Sequence, residues 1–479
     1  MAKNTTLNAK NLEALGKERL AELLIELSTG NASIKRSLKL ELAGKDNPDQ
    51  MAREISKRLK SLAKSTTFID WQKKKALATE LEAHRRSIVD RLATQDPLLA
   101  QELIGQFLDI ADSVFSRCDD SSGTISHIFR QSIIDLGKCL AGQKIDQEAF
   151  AIRIFSALSD NGYGQYDKLL DHLIEPLGQI GLKKLKALFI EVIQNKHPKS
   201  SKNRVIGSRF SSKMDEFDAN EDHFSYETIG AIIALQKIAD AEGDVDGYIA
   251  LQSKRSRVFP AVAASISQRL LAANRETEAW EAINAVLNYK EEHVPFEWED
   301  MRCEILLKLG RKDEALEFRR ECFARFLNDK HLRKLLKALP DFEDIEAEES
   351  AMTLALSYPD IHRALYFLVE WPNLDKANKL IQMRSHELDG DRYELLPGCA
   401  ELLAGKYPLA ATLIFRSIVN YCLKWNKHTR FKHAARHLVE CTSLAPLIKD
   451  FGVHDTHEAY IAKLKAGYGN KSSFWYLVG

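Results

Sequence analysis

Over most of this 479-residue chain, apolar residues return every three or four positions, the interval that lines one face of an α-helix. Leu12, Leu15, Leu20, Leu23, Leu24 and Leu27 set the first stripe, with Asn11 where an N-cap belongs. Ile34, Leu38 and Leu42 set a shorter one that ends at Gly44. From Pro48 to about Leu92 the period continues, with Ile55, Leu59 and Leu62 on one stripe and Phe68 and Trp71 opening the next. Asp96-Pro97 restarts a helix predicted over Leu98 to Phe115, and Asp119-Asp120-Ser121-Ser122-Gly123 is a turn. Two further helices are predicted, one to Leu140 and one from Gln147 to about Leu158. Gly162 to Tyr166 interrupts the pattern, Leu169 to Ile174 resumes it, and Leu182 to Ile193 closes the first half. No segment alternates with period two beside turn residues, so the expected fold class is all-α.

Between Asn195 and His223 the apolar positions thin out. Lys196, Lys199, Lys202, Arg204, Arg209 and Lys213 give way to Asp215, Glu216, Asp218, Glu221 and Asp222, the composition of a solvated linker. After it, turn markers recur: Gly243, Asn274, Gly310, Pro340, Pro372 and Gly405 stand 31, 36, 30, 32 and 33 residues apart. A step of this length suits a two-helix unit that hides its apolar face only by stacking on its neighbours, as in an α-solenoid. Five residues after four of the markers comes alanine: Ala279, Ala315, Ala377 and Ala410. A small side chain there lets two antiparallel helices approach just beyond their turn. Gly243 and Pro340 depart from the rule, leading to Tyr248 and to Ile345 in an acidic stretch.

With Leu306 and Leu309 before Gly310, and Ala315 and Leu316 after it, the segment resembles a tetratricopeptide-type repeat, although that family's aromatic and proline positions are not filled regularly. Over residues 225–405 the resemblance implies a groove for a protein or peptide segment. The expected domains are 1–194 (helical), 195–224 (linker), 225–405 (helical repeats) and 406–479 (basic helical cap). The closing segments Tyr407 to Leu413, Ala434 to Leu438, His457 to Tyr460 and Gly469 to Trp475 resemble those of an uncharacterised bacterial family known only as a domain of unknown function. That style of repeat is similar to the parts of SWIM zinc-finger proteins outside their metal motif. The paired cysteines of that motif are absent, so neither metal nor nucleic-acid binding carries over.

Composition narrows the classes. The 68 basic and 68 acidic residues cancel, so no global field selects nucleic acid, anionic membrane or acidic substrates. Seven scattered cysteines without a CxxC pair read as buried thiols of a reducing compartment. The start lacks an apolar signal region, and no apolar run is long enough to span a bilayer, so a cytoplasmic protein is expected. There is no GxxxxGK[ST], GxSxG, GxGxxG or kinase signature. No enzyme activity and no cofactor are expected.

Residues 406–479 hold eleven Lys or Arg against four acids, with five of the fourteen histidines. His433, His437 and Cys441 repeat at intervals of four, which places two imidazoles on one helical face as metal sites require. They are the candidate metal ligands, but no glutamate base accompanies them, and packing is their expected role. Arg416, Arg430, Lys432, Arg436, Lys471 and Trp475 are candidates for a basic aromatic surface, which together with the 196–213 block would serve nucleic acid as the second reading. The first reading is a non-enzymatic scaffold for a protein partner. Its surface candidates are Tyr226, Arg255, Trp298, Arg302, Arg319, Tyr366 and Arg416, with Arg436, Lys471 and Trp475 from the tail.

Overall fold

The computed structural model describes residues 7–30, 34–35, 38–39, 42, 48–195, 226–286 and 294–479. The 196–213 basic block and most of the expected linker lie outside the described residues, as does the side chain of Tyr226. Among the described residues every regular element is helical, and one isolated parallel bridge joins Ile69 to Cys118. The chain divides into two compact units, Met1–Gln252 and Ser253–Gly479.

The first unit contains α1 (Ala9–Glu13), α2 (Lys17–Ser28), α3 (Pro48–Ala63), α4 (Trp71–Arg86), α5 (Pro97–Asp109), α6 (Ala111–Phe115), α7 (Thr124–Leu140), α8 (Gln147–Ser159), α9 (Leu169–Asn195), α10 (Tyr226–Glu242) and α11 (Val245–Ala250). The first N-cap is Asn8 and not Asn11, whose backbone N–H donates to the Asn8 side chain. Gly16 then splits the expected first helix into α1 and α2. Asp70, Asp96 and Asp146 cap α4, α5 and α8 by accepting from backbone N–H groups of the first turn. Beyond α4 the chain runs through a π-helical turn, Ser87–Leu92.

The core of this unit runs through Ile55, Leu59, Leu81, Phe107, Phe129, Leu173 and Leu185. α5 and α7 pack together, as do α8, α9 and α10. Polar ties complete it. Arg117 donates to the Leu62 and Ser113 carbonyls at 3.1 and 2.7 Å, and the Tyr166 hydroxyl donates to the Leu108 carbonyl at 2.8 Å. Arg85 bridges Glu82 to the buried Asp135.

The second unit contains α12 (Pro260–Ala272), α13 (Glu276–Asn284), α14 (Phe296–Lys308), α15 (Lys312–Phe326), α16 (Asp329–Ala338), α17 (Glu343–Ser357), α18 (Ile361–Glu370), α19 (Leu374–Arg384), α20 (Leu396–Ala404), α21 (Pro408–Lys424), α22 (Phe431–Leu444), α23 (His457–Tyr468) and α24 (Ser472–Val478). From α12 to α22, each helix has its main packing partners one or two places away in sequence. The four alanines after the turn markers are all buried. Ser267 on α12 donates to the Ala279 carbonyl at 3.1 Å, and the Cys303 thiol on α14 makes the matching contact with the Ala315 carbonyl at 3.8 Å. The two hairpins are therefore tied at equivalent places.

The turns share one device. The residue after Gly243, Asn274, Gly310 and Pro372 donates to the carbonyl five residues back, at 2.9 Å in each case, which closes the helix in a Schellman-type turn. Gly243, Asn274 and Gly310 adopt positive φ to make it. Gly405 keeps a right-handed φ of −67° and closes differently, and near Pro340 the left-handed residue is Phe342. Asn426, with φ of 51°, repeats the device after α21, where Lys427 donates to the Cys422 carbonyl.

Two outcomes follow. Gly310 has φ of +75° and open space where a Cβ would stand, so Gly310→Ala should cost about 1 kcal/mol from the left-handed backbone alone, and Gly310→Asn less, by urea unfolding. The guanidinium of Arg85, aided by Arg86, holds the Glu82 carboxyl down at about 2, against an ordinary value of 4.5. A depressed carboxyl stabilises the fold above its unfolded value and loses that contribution as pH falls. Urea midpoints of the parent should therefore drop between pH 4.5 and about 2 more steeply than those of Glu82→Gln.

Candidate functional site

Among the described residues, one group of metal-ligating side chains gathers between α14, α15 and α16. Pro295 precedes α14 and Asn328 caps α16 by accepting from the Lys330 N–H, and these starts fix which faces turn inward. Glu299 on α14 is 4% exposed, Cys322 on α15 1% and His331 on α16 fully buried. Their donor atoms all lie within 4.8 Å of one another. His331 Nε2 stands 2.8 Å from one Glu299 oxygen, and Arg325 Nη2 donates to the other at 2.8 Å. The same Arg325 nitrogen reaches Cys322 Sγ at 3.3 Å. The Phe296 ring meets His331 edge-on, with centroids 4.8 Å apart.

These residue types could hold a metal, but their arrangement does not fit one. A guanidinium already occupies one glutamate oxygen and the thiol, so a divalent ion would put a second positive charge against Arg325. Burial holds the Cys322 thiol well above its ordinary value, and it pushes Cys303 up to about 12. Both are neutral thiols at physiological pH, not thiolates poised for attack. The cluster is a buried ion-pair node joining three consecutive helices.

Around it stand further ties. Arg319, 4% exposed, donates to Asp300 at 2.9 Å, and Asp300 also holds Lys334. Arg302 lies over the rings of Trp280, Phe318 and Trp298 at 4.9, 5.0 and 5.7 Å, while Arg311 covers Trp280 at 4.6 Å. Two of the expected surface residues, Trp298 and Arg319, are therefore interior, and Arg302 is half-buried in a stack. Arg255 and Tyr366 are exposed.

In the tail, the expected metal ligands do not converge. His433 is exposed, His437 is half-buried and stacked on Phe415 at 5.0 Å, and Cys441 is buried with its thiol toward the Thr412 carbonyl. Helical spacing aligned the three along α22, but the stripe they share rolls from solvent into the core. Burial holds the His437 imidazole below its ordinary value.

The expected basic surface is also divided among local ties. Arg416 is 5% exposed, Arg430 pairs with Asp391 at 2.6 Å and stacks on Tyr393, and Lys471 donates to Asn426. Lys432 and Arg436 are exposed on α22. Trp475 donates to the Tyr468 carbonyl at 2.9 Å and packs beside Phe474, which is fully buried against Phe431, whereas Tyr476 is 88% exposed. Phe474 and Trp475 thus close the end of the unit, and Tyr476 does not. Among the described residues no helix is long and apolar enough to cross a membrane.

The family of unknown function DUF6880 has a model that matches residues 2–477, and the chain belongs to that family. No curated protein matches the chain. The likeness to tetratricopeptide repeats and to SWIM proteins gains nothing from this match, which brings no activity with it.

The node makes a stability prediction. Removing one partner of a buried ion pair strands the other, at a cost of about 3 kcal/mol. Glu299→Ala should destabilise the second unit by that order in urea unfolding at neutral pH. A loss under about 1 kcal/mol would mean that water already relieves the charge of Arg325.

Proposed function

We propose that this chain is a non-enzymatic scaffold, a tetratricopeptide-like α-solenoid in its second unit, that holds a protein or peptide partner along successive hairpins. The observation that carries the reading is the packing order: from α12 to α22, helices take their main partners one or two places away in sequence. Serial packing offers the same helix of each hairpin to solvent again and again, which suits an extended partner. Four first helices carry an exposed apolar side chain: Leu307 on α14, Tyr366 on α18, Leu402 on α20 and Val439 on α22. These are the partner contacts proposed here. All seven cysteines are free and six are buried, which fits a cytoplasmic setting.

Nucleic-acid binding, the rival, is weakened by the local ties of Arg416, Arg430 and Lys471. Counterion release requires cations that can exchange solvent ions for phosphates.

The test is affinity capture with the tagged full chain, followed by titration calorimetry of each purified prey. At least one prey should bind directly, and Tyr366→Ala with Leu402→Ala should weaken it at least tenfold. If no purified prey binds, or the double variant binds as the parent does, the scaffold reading fails. A salt-sensitive gel shift with duplex DNA or single-stranded RNA would favour the rival instead.

A further inference from the structure

Arg416 lies on α21 inside the run Leu413-Ile414-Phe415-Arg416-Ser417-Ile418 and is 5% exposed. Its Nη1 donates to the Asp455 carbonyl at 2.8 Å. Its Nε and Nη2 are buried without a hydrogen-bond partner. Aromatic rings cover the guanidinium, Tyr460 at 4.4 Å and Phe451 at 5.9 Å. Among the described residues no carboxylate reaches it. Both oxygens of Asp455 are held by Lys463 at 2.7 Å, and the Glu458 side chain is exposed at the start of its own helix.

The groups beside it supply no negative charge. Burial pushes the Cys441 thiol up to about 12 and keeps the Tyr460 hydroxyl protonated. Burial first, and then Arg416, hold the His457 imidazole below its ordinary value, so it is neutral at physiological pH.

Two further polar atoms are buried without partners in the same place. Thr412, one helical turn before Arg416 on the same face, is fully buried with an unpaired hydroxyl. His457 Nδ1 is unpaired, while its Nε2 meets Thr442 at 3.2 Å. His457 opens α23, so the positive end of that helix adds to the field. A buried cation with two free N–H groups, a free hydroxyl and a helix N-terminus beside it is costly unless something negative accepts those bonds. Phe451, whose ring covers the guanidinium, also lines a surface pocket of about 460 Å³ with Gln382, Tyr407, Lys449 and His454 among others.

We infer that Arg416, Thr412 and His457 form a buried binding site for a small oxyanion, a phosphate or a carboxylate, reached past the Phe451 loop. Arg416 Nε and Nη2 donate side by side to two oxygens, the fork that guanidinium offers to such groups. The Thr412 hydroxyl donates to one of them, and His457 Nδ1 bonds a protonated oxygen or donates, according to its tautomer. This site stands apart from the scaffold reading and does not depend on it.

The test is the melting temperature of the full chain titrated with inorganic phosphate and, separately, acetate, each against sodium chloride at matched ionic strength. A rise that continues with the logarithm of anion concentration above Kd is expected, on the order of 5–10 °C at a hundredfold excess. The anion effective at lower concentration identifies the source as phosphoryl or carboxylate. Arg416→Met should lose the rise, and Thr412→Val should need about tenfold more anion for the same rise. The proposal is overturned if neither anion exceeds the chloride control or if Arg416→Met keeps the full rise. Should Arg416→Met not fold, an unchanged dose response in Thr412→Val overturns it.

Discussion

A two-helix hairpin has apolar side chains on more sides than its own partner helix can cover, and this shortage of cover governs the second unit. Ala279, Ala315, Ala377 and Ala410 bring the helices of a pair into contact just past the turn. What remains apolar packs against helices one or two places away in sequence. One cluster accordingly runs from Leu316 through Leu365, Leu380 and Ile414 to Cys441 without a break between hairpins. Burial at about 25 cal/mol per Å² of apolar surface favours each such contact. Beyond α22, Phe474 on α24 is fully buried against Phe431 and covers that face.

The same constraint explains how charged groups come to lie inside. Where the faces of three consecutive helices meet, a largely buried carboxylate finds its counter-charge on a neighbouring helix. Glu299 is held by Arg325 and shares a hydrogen bond with His331, and Asp300 is held by Arg319 and Lys334. Such pairs contribute little net stability against a well-packed apolar alternative, but they penalise any slip in register, because a slipped helix leaves a buried charge alone. They specify which helix faces which, a task that leucine and alanine perform poorly.

The helices were legible because their signals are local. Periodicity located α7, α8 and the hairpins around Asn274 and Gly310 to within a few residues. Gly243, Asn274 and Gly310 marked turns that the structure closes with a positive φ, whereas Gly405 marked the turn after α20 with a right-handed φ. Asn426 was missed because it sits between Trp425 and Lys427 with no glycine or proline near. The Glu299, Cys322 and His331 node was invisible because its members come from three helices whose mutual rotation no local pattern encodes. Arg319 and Arg416 were taken for surface cations from their charge alone. The readable signal was their context: each follows a phenylalanine within an apolar stripe, and the stripe decides which way a helical side chain points.

Arg325 and Arg416 make an instructive pair. Both lie within helices, Arg325 half-buried and Arg416 5% exposed, so each has lost part or most of its hydration. Arg325 recovers it through Glu299 and the Cys322 sulfur. Arg416 recovers part through one carbonyl and the face of Tyr460, and these are neutral groups. Burial accordingly holds Arg416 below its ordinary value, although a guanidinium gives up its proton too reluctantly to become neutral near pH 7. A charge that cannot be discharged by losing a proton can be satisfied only from outside its own side chain. Lysine at this position could neutralise itself, and methionine would remove the problem. The presence of arginine, with Thr412 one turn away, is what argues for an oxyanion rather than for chance burial.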